Sequence, residues 1–137
     1  MICLIYTSCV YDKDDYKLKL INNSENKYYF IVKPNSLLKL NDVNYITTKY
    51  KFHYIKPNDT CRPLFARINE GGYARKINET CKDSTLQIYL FLADSVDRYG
   101  WSNIIKDEHH FIKKGFKVKY LDSINWFVGI NTILENK

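Results

Sequence analysis

The chain has 137 residues, 45% of them hydrophobic, which suits one domain with a buried core. Its net charge is +6, but of its 21 basic residues only Arg62, Arg67, Arg75 and Arg98 are arginine, and lysine is scattered through every segment. Nucleic-acid readers gather arginine and aromatic residues along one face, so this balance reads as a solvated lysine surface and argues against a nucleic-acid partner.

Met1 to Tyr16 reads MICLIYTSCVYDKDDY. An apolar run, Ile2 to Tyr6, leads into the small residues Thr7 and Ser8, then Cys9, and then Asp12, Asp14 and Asp15. That order matches the end of a secretory h-region, a small-residue cleavage site and a cysteine whose freed amine and thiol accept acyl chains. Residues 1–8 are then the remnant of a signal peptide and residues 9–15 an acidic, lipidated tether. Eight residues fall short of the about 15–30 of a full signal, and no Lys or Arg precedes Lys13, so this reading expects a basic n-region encoded upstream of Met1. An ordinary apolar strand is the alternative, although a core strand rarely runs straight into three aspartates. No stretch reaches the ~18 apolar residues of a spanning helix, so membrane contact is expected through the lipid on Cys9.

Residues 16–137 read as one β-rich domain, with 12 Tyr, 7 Phe and 2 Trp favouring strands. Asp15 to Lys33 has the pattern of a hairpin: Leu18 and Leu20 alternate with Lys17 and Lys19, residues 22–26 form a turn cluster, and Tyr28 to Val32 is the second strand. Strands follow around Val43, Tyr45 and Ile46 and over Tyr50 to Ile55, with a turn at Lys56-Pro57-Asn58-Asp59. Pro63 to Ile68 is a further strand, and Asn69 to Gly72 a loop. Leu86 to Leu92 is the most definite element, a strand with apolar residues on both faces and therefore buried on both sides. Asp94 reads as a helix N-cap with Asp97 three residues on. Val96, Tyr99, Trp101, Ile104 and Ile105 form a short apolar face, broken at Gly100 into two helical turns. Phe111 to Phe116 is extended, Tyr120 to Ile124 one helical turn, and Trp126 to Ile130 a final strand. The expected fold is mainly β, a single β-sandwich-like domain with short C-terminal helices.

The C-terminal run supplies a resemblance. Leu86-Gln87-Ile88-Tyr89-Leu90-Phe91, Asp94-Ser95, Tyr99-Gly100-Trp101 with Ile104, Phe111-Ile112-Lys113-Lys114 and Leu121-Asp122-Ser123-Ile124-Asn125-Trp126 together resemble a group of small uncharacterised lipoproteins of Bacteroidales-type bacteria. Gly115 departs from the resemblance, standing where a larger residue is expected. The resemblance implies a short β domain behind a lipid-accepting cysteine and brings no activity with it. The aspartates after Cys9 resemble the surface-export signal of such lipoproteins, implying a place in the cell envelope, at the outer membrane or cell surface.

Specific chemistry finds little footing. Cys61 and Cys81 are the pair left once Cys3 is removed and Cys9 acylated. A bridge between them would close a loop of about 20 residues; two separate buried thiols are the alternative. His109-His110 with Asp107 and Glu108 invites a metal, but adjacent residues of a strand point to opposite faces and no ligand spacing accompanies them, so no metal is expected. There is no nucleophile elbow and no phosphate-cradling glycine loop. Asn22, Asn58 and Asn78 begin glycosylation-type triplets that also read as plain turns. Trp101 and Tyr99 could offer an aromatic binding surface for sugar rings, against a core role for Trp101 set by its helical spacing with Ile104 and Ile105. The expectation is a non-enzymatic, lipid-anchored binding module without cofactor, its partner an envelope protein or a glycan. An envelope accessory that pairs through an edge strand, and an enzyme of unrecognised type, stand as alternatives.

Overall fold

In the computed structural model, residues 18–34, 38–39, 54–62 and 85–135 are described. Among them are seven strands in two sheets. β1 is Lys19–Ile21, β2 Tyr28–Pro34, β3 Tyr54–Ile55, β4 Thr60–Cys61, β5 Thr85–Leu92, β6 Ile112–Lys117 and β7 Phe127–Gly129. The helices are α1 (Ala93–Tyr99), α2 (Trp101–Ile104), α3 (Val118–Ser123) and α4 (Ile130–Leu134), with a 3₁₀ turn at Glu108–His110. One sheet has the order β4-β1-β7 and the other β3-β2-β5-β6. The domain is therefore sheet-rich with a few short helices, as its sequence predicts.

Side-chain alternation builds the layers. Leu86, Ile88 and Leu90 of β5 and Tyr28, Phe30 and Val32 of β2 point into the space between the sheets. There they meet Leu18 and Leu20 at β1, Val128 of β7, Phe116 of β6 and the fully buried Trp126. The alternate residues Ile31, Tyr89 and Phe91 form a second cluster on the other face, closed over by Val96 of α1 and Ile104 of α2. β5 is flanked by β2 and β6 and covered on both faces, and this is why residues 88–92 are apolar without a break.

The hairpin expected over Asp15–Lys33 is not formed. Both of its strands exist, yet β1 pairs with β4 antiparallel and with β7 parallel, while β2 pairs with β3 and β5. The reason is Asn22, buried at the end of β1. Its side-chain amide donates to the carbonyls of Asn26 (2.7 Å), Lys56 (3.0 Å) and Ile55 (3.3 Å), and its oxygen accepts from the amide and hydroxyl of Ser24. The chain is thereby turned from one sheet into the other rather than back on itself. The turn at Lys56–Asp59 forms as expected, with Asn58 at φ 58°, and it too passes between sheets, from β3 to β4. The Asn22 amide N–H donates to the Asp59 carbonyl (2.9 Å), tying the two corners together.

Around β5 the other expectations resolve as follows. The strand itself and the break at Gly100, which has φ 74°, are as expected. Asp94, however, is not the N-cap. α1 starts at Ala93, whose N–H donates to the Lys27 carbonyl (3.0 Å); that backbone partner takes the role of a capping side chain, and Asp94 sits exposed in the first turn. β6 and α3 match the extended and helical stretches expected there. The final strand is shorter than Trp126–Ile130. Asn125 and Trp126 both hold left-handed backbone (φ 52° and 60°), and Ile130 already begins α4. Trp126 is fixed in that conformation by its N–H on the Leu121 carbonyl (2.8 Å) and its indole N–H on Asp122 Oδ1 (2.7 Å).

Gly115 lies opposite Gln87 in the β5–β6 register. A Cβ there would stand 2.8 Å from Thr85 Cγ2 and 2.9 Å from Gln87 Nε2, so the larger residue that the resemblance leads one to expect has no room. The strands expected around Val43–Ile46 and over Pro63–Ile68, and the loop at Asn69–Gly72, lie outside the described residues.

Candidate functional site

The outer face of the four-stranded sheet holds a group of aromatic and polar side chains. Tyr29 projects from β2 on the side opposite Tyr28 and Phe30, and strand register sets it between Tyr54 of β3 and Phe91 of β5. Trp101, the first residue of α2, packs edge to face against Tyr29 (ring centroids 5.3 Å, 62°) and against Phe91 (5.0 Å, 74°). Tyr29 and Tyr54 meet at 6.4 Å and 78°. The Lys27 ammonium lies 4.4 Å from the Tyr54 ring centroid and 5.4 Å from that of Tyr29. Burial raises the Tyr29 pKa above the usual phenol value, and the charge of Asp97 and its hydrogen bond with Tyr29 add to the shift. Asp97 of α1 thus lies near the Tyr29 phenol of β2.

This geometry makes a corner rather than a platform. A sugar-stacking surface needs rings lying flat and open side by side, whereas these stand nearly perpendicular and the corner is filled by Lys27. Trp101 is half-buried in this cluster, and Tyr99 leaves it altogether: 48% exposed, it stacks on His110 (5.8 Å, 29°). The two residues read as one aromatic surface thus serve different places.

His109 and His110 do not straddle a strand. In the 3₁₀ turn both imidazoles reach the same carboxylate, Nδ1 of His109 lying 3.2 Å from Asp107 Oδ1 and Nε2 of His110 3.6 Å from Oδ2. The Asp107 carboxylate also accepts the His109 amide N–H (3.0 Å), and that bond, with the two imidazoles, holds its pKa below the ordinary carboxylate range. Among the described residues no group of three or more His, Cys, Asp or Glu is arranged to hold a metal ion.

Cys61 is a free thiol on β4, half-buried against the inter-sheet core. Burial, with the charge of Asp59 beside it, pushes its pKa up to about 12. Cys81 and the acylation candidate Cys9 lie outside the described residues. Of the three glycosylation-type triplets, Asn22 has its amide nitrogen committed to three carbonyls, Asn58 is exposed at its turn, and Asn78 lies outside the described residues. Lys27, Tyr29 and Tyr54 were not singled out from the sequence. The usable signal was strand alternation in β2, which places Tyr29 on the opposite face from two core residues.

Compared with protein-family models, curated proteins and solved structures, the chain matches none. Among the described residues no helix is long and apolar enough to cross a membrane.

Proposed function

We propose that this chain is a non-enzymatic binding module of the cell envelope, held at the outer membrane or cell surface by lipid on Cys9. The reading rests on one observation, the order of an apolar run, Thr7-Ser8, Cys9 and three aspartates at the start of the sequence. A binding role is supported by Tyr99, exposed on α1 and stacked on His110. Asp107 has structural work of its own, ordering the 3₁₀ turn. The partner is an envelope protein or a glycan. A resemblance to small lipoproteins of Bacteroidales-type bacteria fits the same address.

Strand addition at an edge is the less favoured mode. β6 is a sheet edge among the described strands, but it carries Lys113, Lys114 and Lys117, and lysines on an edge oppose pairing with another chain. Metabolic labelling with a palmitate analogue tests the anchor: the native chain incorporates label and Cys9→Ala does not. Equal labelling of the two would remove Cys9 as the acceptor. Glycan-array binding by the purified domain would then select a glycan, and stoichiometric co-purification a protein.

A further inference from the structure

We propose that the angle between the Tyr29 and Tyr54 rings is a binding site for a quaternary ammonium group of the choline type, and that Lys27 is the internal cation that occupies it in the free protein. The site is independent of the lipid anchor on Cys9.

The walls are set by the fold and not by their occupant. Register between β2 and β3 puts Tyr29 directly opposite Tyr54, and the two rings stand at 78° with centroids 6.4 Å apart. Trp101 of α2 holds the Tyr29 ring from the side, and is itself held against Phe91 of β5. The face of an aromatic ring carries the negative part of its quadrupole, so two faces meeting near a right angle concentrate that field between them. A cation gains from such a space and an uncharged group does not. The Lys27 ammonium marks the position, 4.4 Å from the Tyr54 centroid and 5.4 Å from that of Tyr29. Both separations fall inside the about 6 Å over which a ring face attracts a cation. The Asp97 carboxylate, close enough to the Tyr29 phenol for its charge to raise that pKa, adds to the preference for a positive ligand.

The occupant is held loosely. Lys27 immediately precedes β2, and its backbone is fixed by the carbonyl that accepts the Ala93 N–H (3.0 Å), whatever its side chain does. The side chain is half-buried, and among the described residues its ammonium has the two rings and no carboxylate. An ammonium has three N–H donors, and a ring face offers them no lone pair, so in the corner they forgo part of their hydration. A quaternary ammonium has no N–H to satisfy, sheds its weaker hydration more cheaply, and lays methyl groups on both faces. Exchange returns the Lys27 ammonium to water, which its long stem at the wet rim permits. Lys27 therefore acts as a tethered competitor that keeps the corner closed until a better-suited cation displaces it.

The test titrates choline chloride into the purified full chain and follows the choline methyl protons by NMR, because a group lying on ring faces is shifted upfield. The native chain should show a saturable upfield shift. Lys27→Ala, which keeps the carbonyl that meets Ala93, should bind choline at least about tenfold more tightly, since the tethered competitor is gone. Adding Tyr54→Leu to Lys27→Ala removes one wall and should abolish the shift, and thermal melts confirm that each variant folds. The uncharged carbon isostere of choline should give no saturable shift with any of them. Tighter binding of phosphocholine than of choline would assign the group to a phosphate-bearing headgroup, and the reverse to a free solute. No saturable shift in the native chain or in folded Lys27→Ala, equal affinities of the two, or an equal response to the uncharged isostere would overturn the site and leave the Cys9 anchor untouched.

Discussion

Trp126 and Trp101 sit on opposite sides of one sheet and have opposite surroundings. Trp126 is closed in by two sheets, fully buried, with its indole N–H committed to Asp122. Trp101 belongs to the roof made by two short helices, half-buried, edge-on to Tyr29 and Phe91. A layer bounded by strands on both sides can exclude water completely, while a layer roofed by α1 and α2 leaves its rim wet. The rim is accordingly where tyrosine hydroxyls, Lys27 and Asp97 collect, because each keeps a polar tip in reach of solvent or of a partner.

The strongest way to break this comparison is Trp126→Ala. It empties a closed site and is expected to cost about 3–5 kcal/mol in urea or thermal unfolding. A loss no greater than that of Trp101→Ala would mean the two layers are equally open. Next comes the corner between the sheets: Asn22→Ala leaves three backbone carbonyls without their donor, and should cost about 2–3 kcal/mol. Asn22→Asp should fare no better, since it also lacks the amide donor; full stability in either variant would show that the turn does not depend on this side chain.

Trp101→Ala should cost about 2 kcal/mol, the share of a half-buried ring. A change within about half a kcal/mol would instead mark a free surface ring.

A test of a different kind sharpens the same contrast at a single thiol. With its pKa pushed up to about 12, Cys61 in the folded protein should alkylate at pH 8 about a thousandfold more slowly than in denaturant. The protonated thiol is the form that folding favours. Its contribution to stability is therefore complete below the ordinary cysteine pKa and is lost as pH rises from there toward 12. Equal alkylation rates in folded and unfolded protein would place Cys61 outside the core.

Much of this was legible in the residues. The largely apolar β5, the break at Gly100, the extended β6 and the turn at Lys56–Asp59 all follow from local pattern, and so does the β-rich class. The candidate surface was half legible: Trp101 stood out by spacing, but its partners Tyr29 and Tyr54 come from strands far from it in the chain, and only register brings them together.

Local sequence, then, determined which stretches are strands and which residues point together along each one, because alternation and turn chemistry act over a few residues. Tertiary structure alone decided which strand pairs with which. β1 and β2 look like a hairpin until Asn22 finds carbonyls 33 and 34 residues away. Lys27 replaces a side-chain cap at α1 through a backbone carbonyl that no capping pattern encodes. Gly115 is small because Thr85 and Gln87 occupy its space from the neighbouring strand. Each of these is a contact between segments distant in sequence, where steric room and hydrogen-bond partners are set by the folded chain and by nothing within one strand.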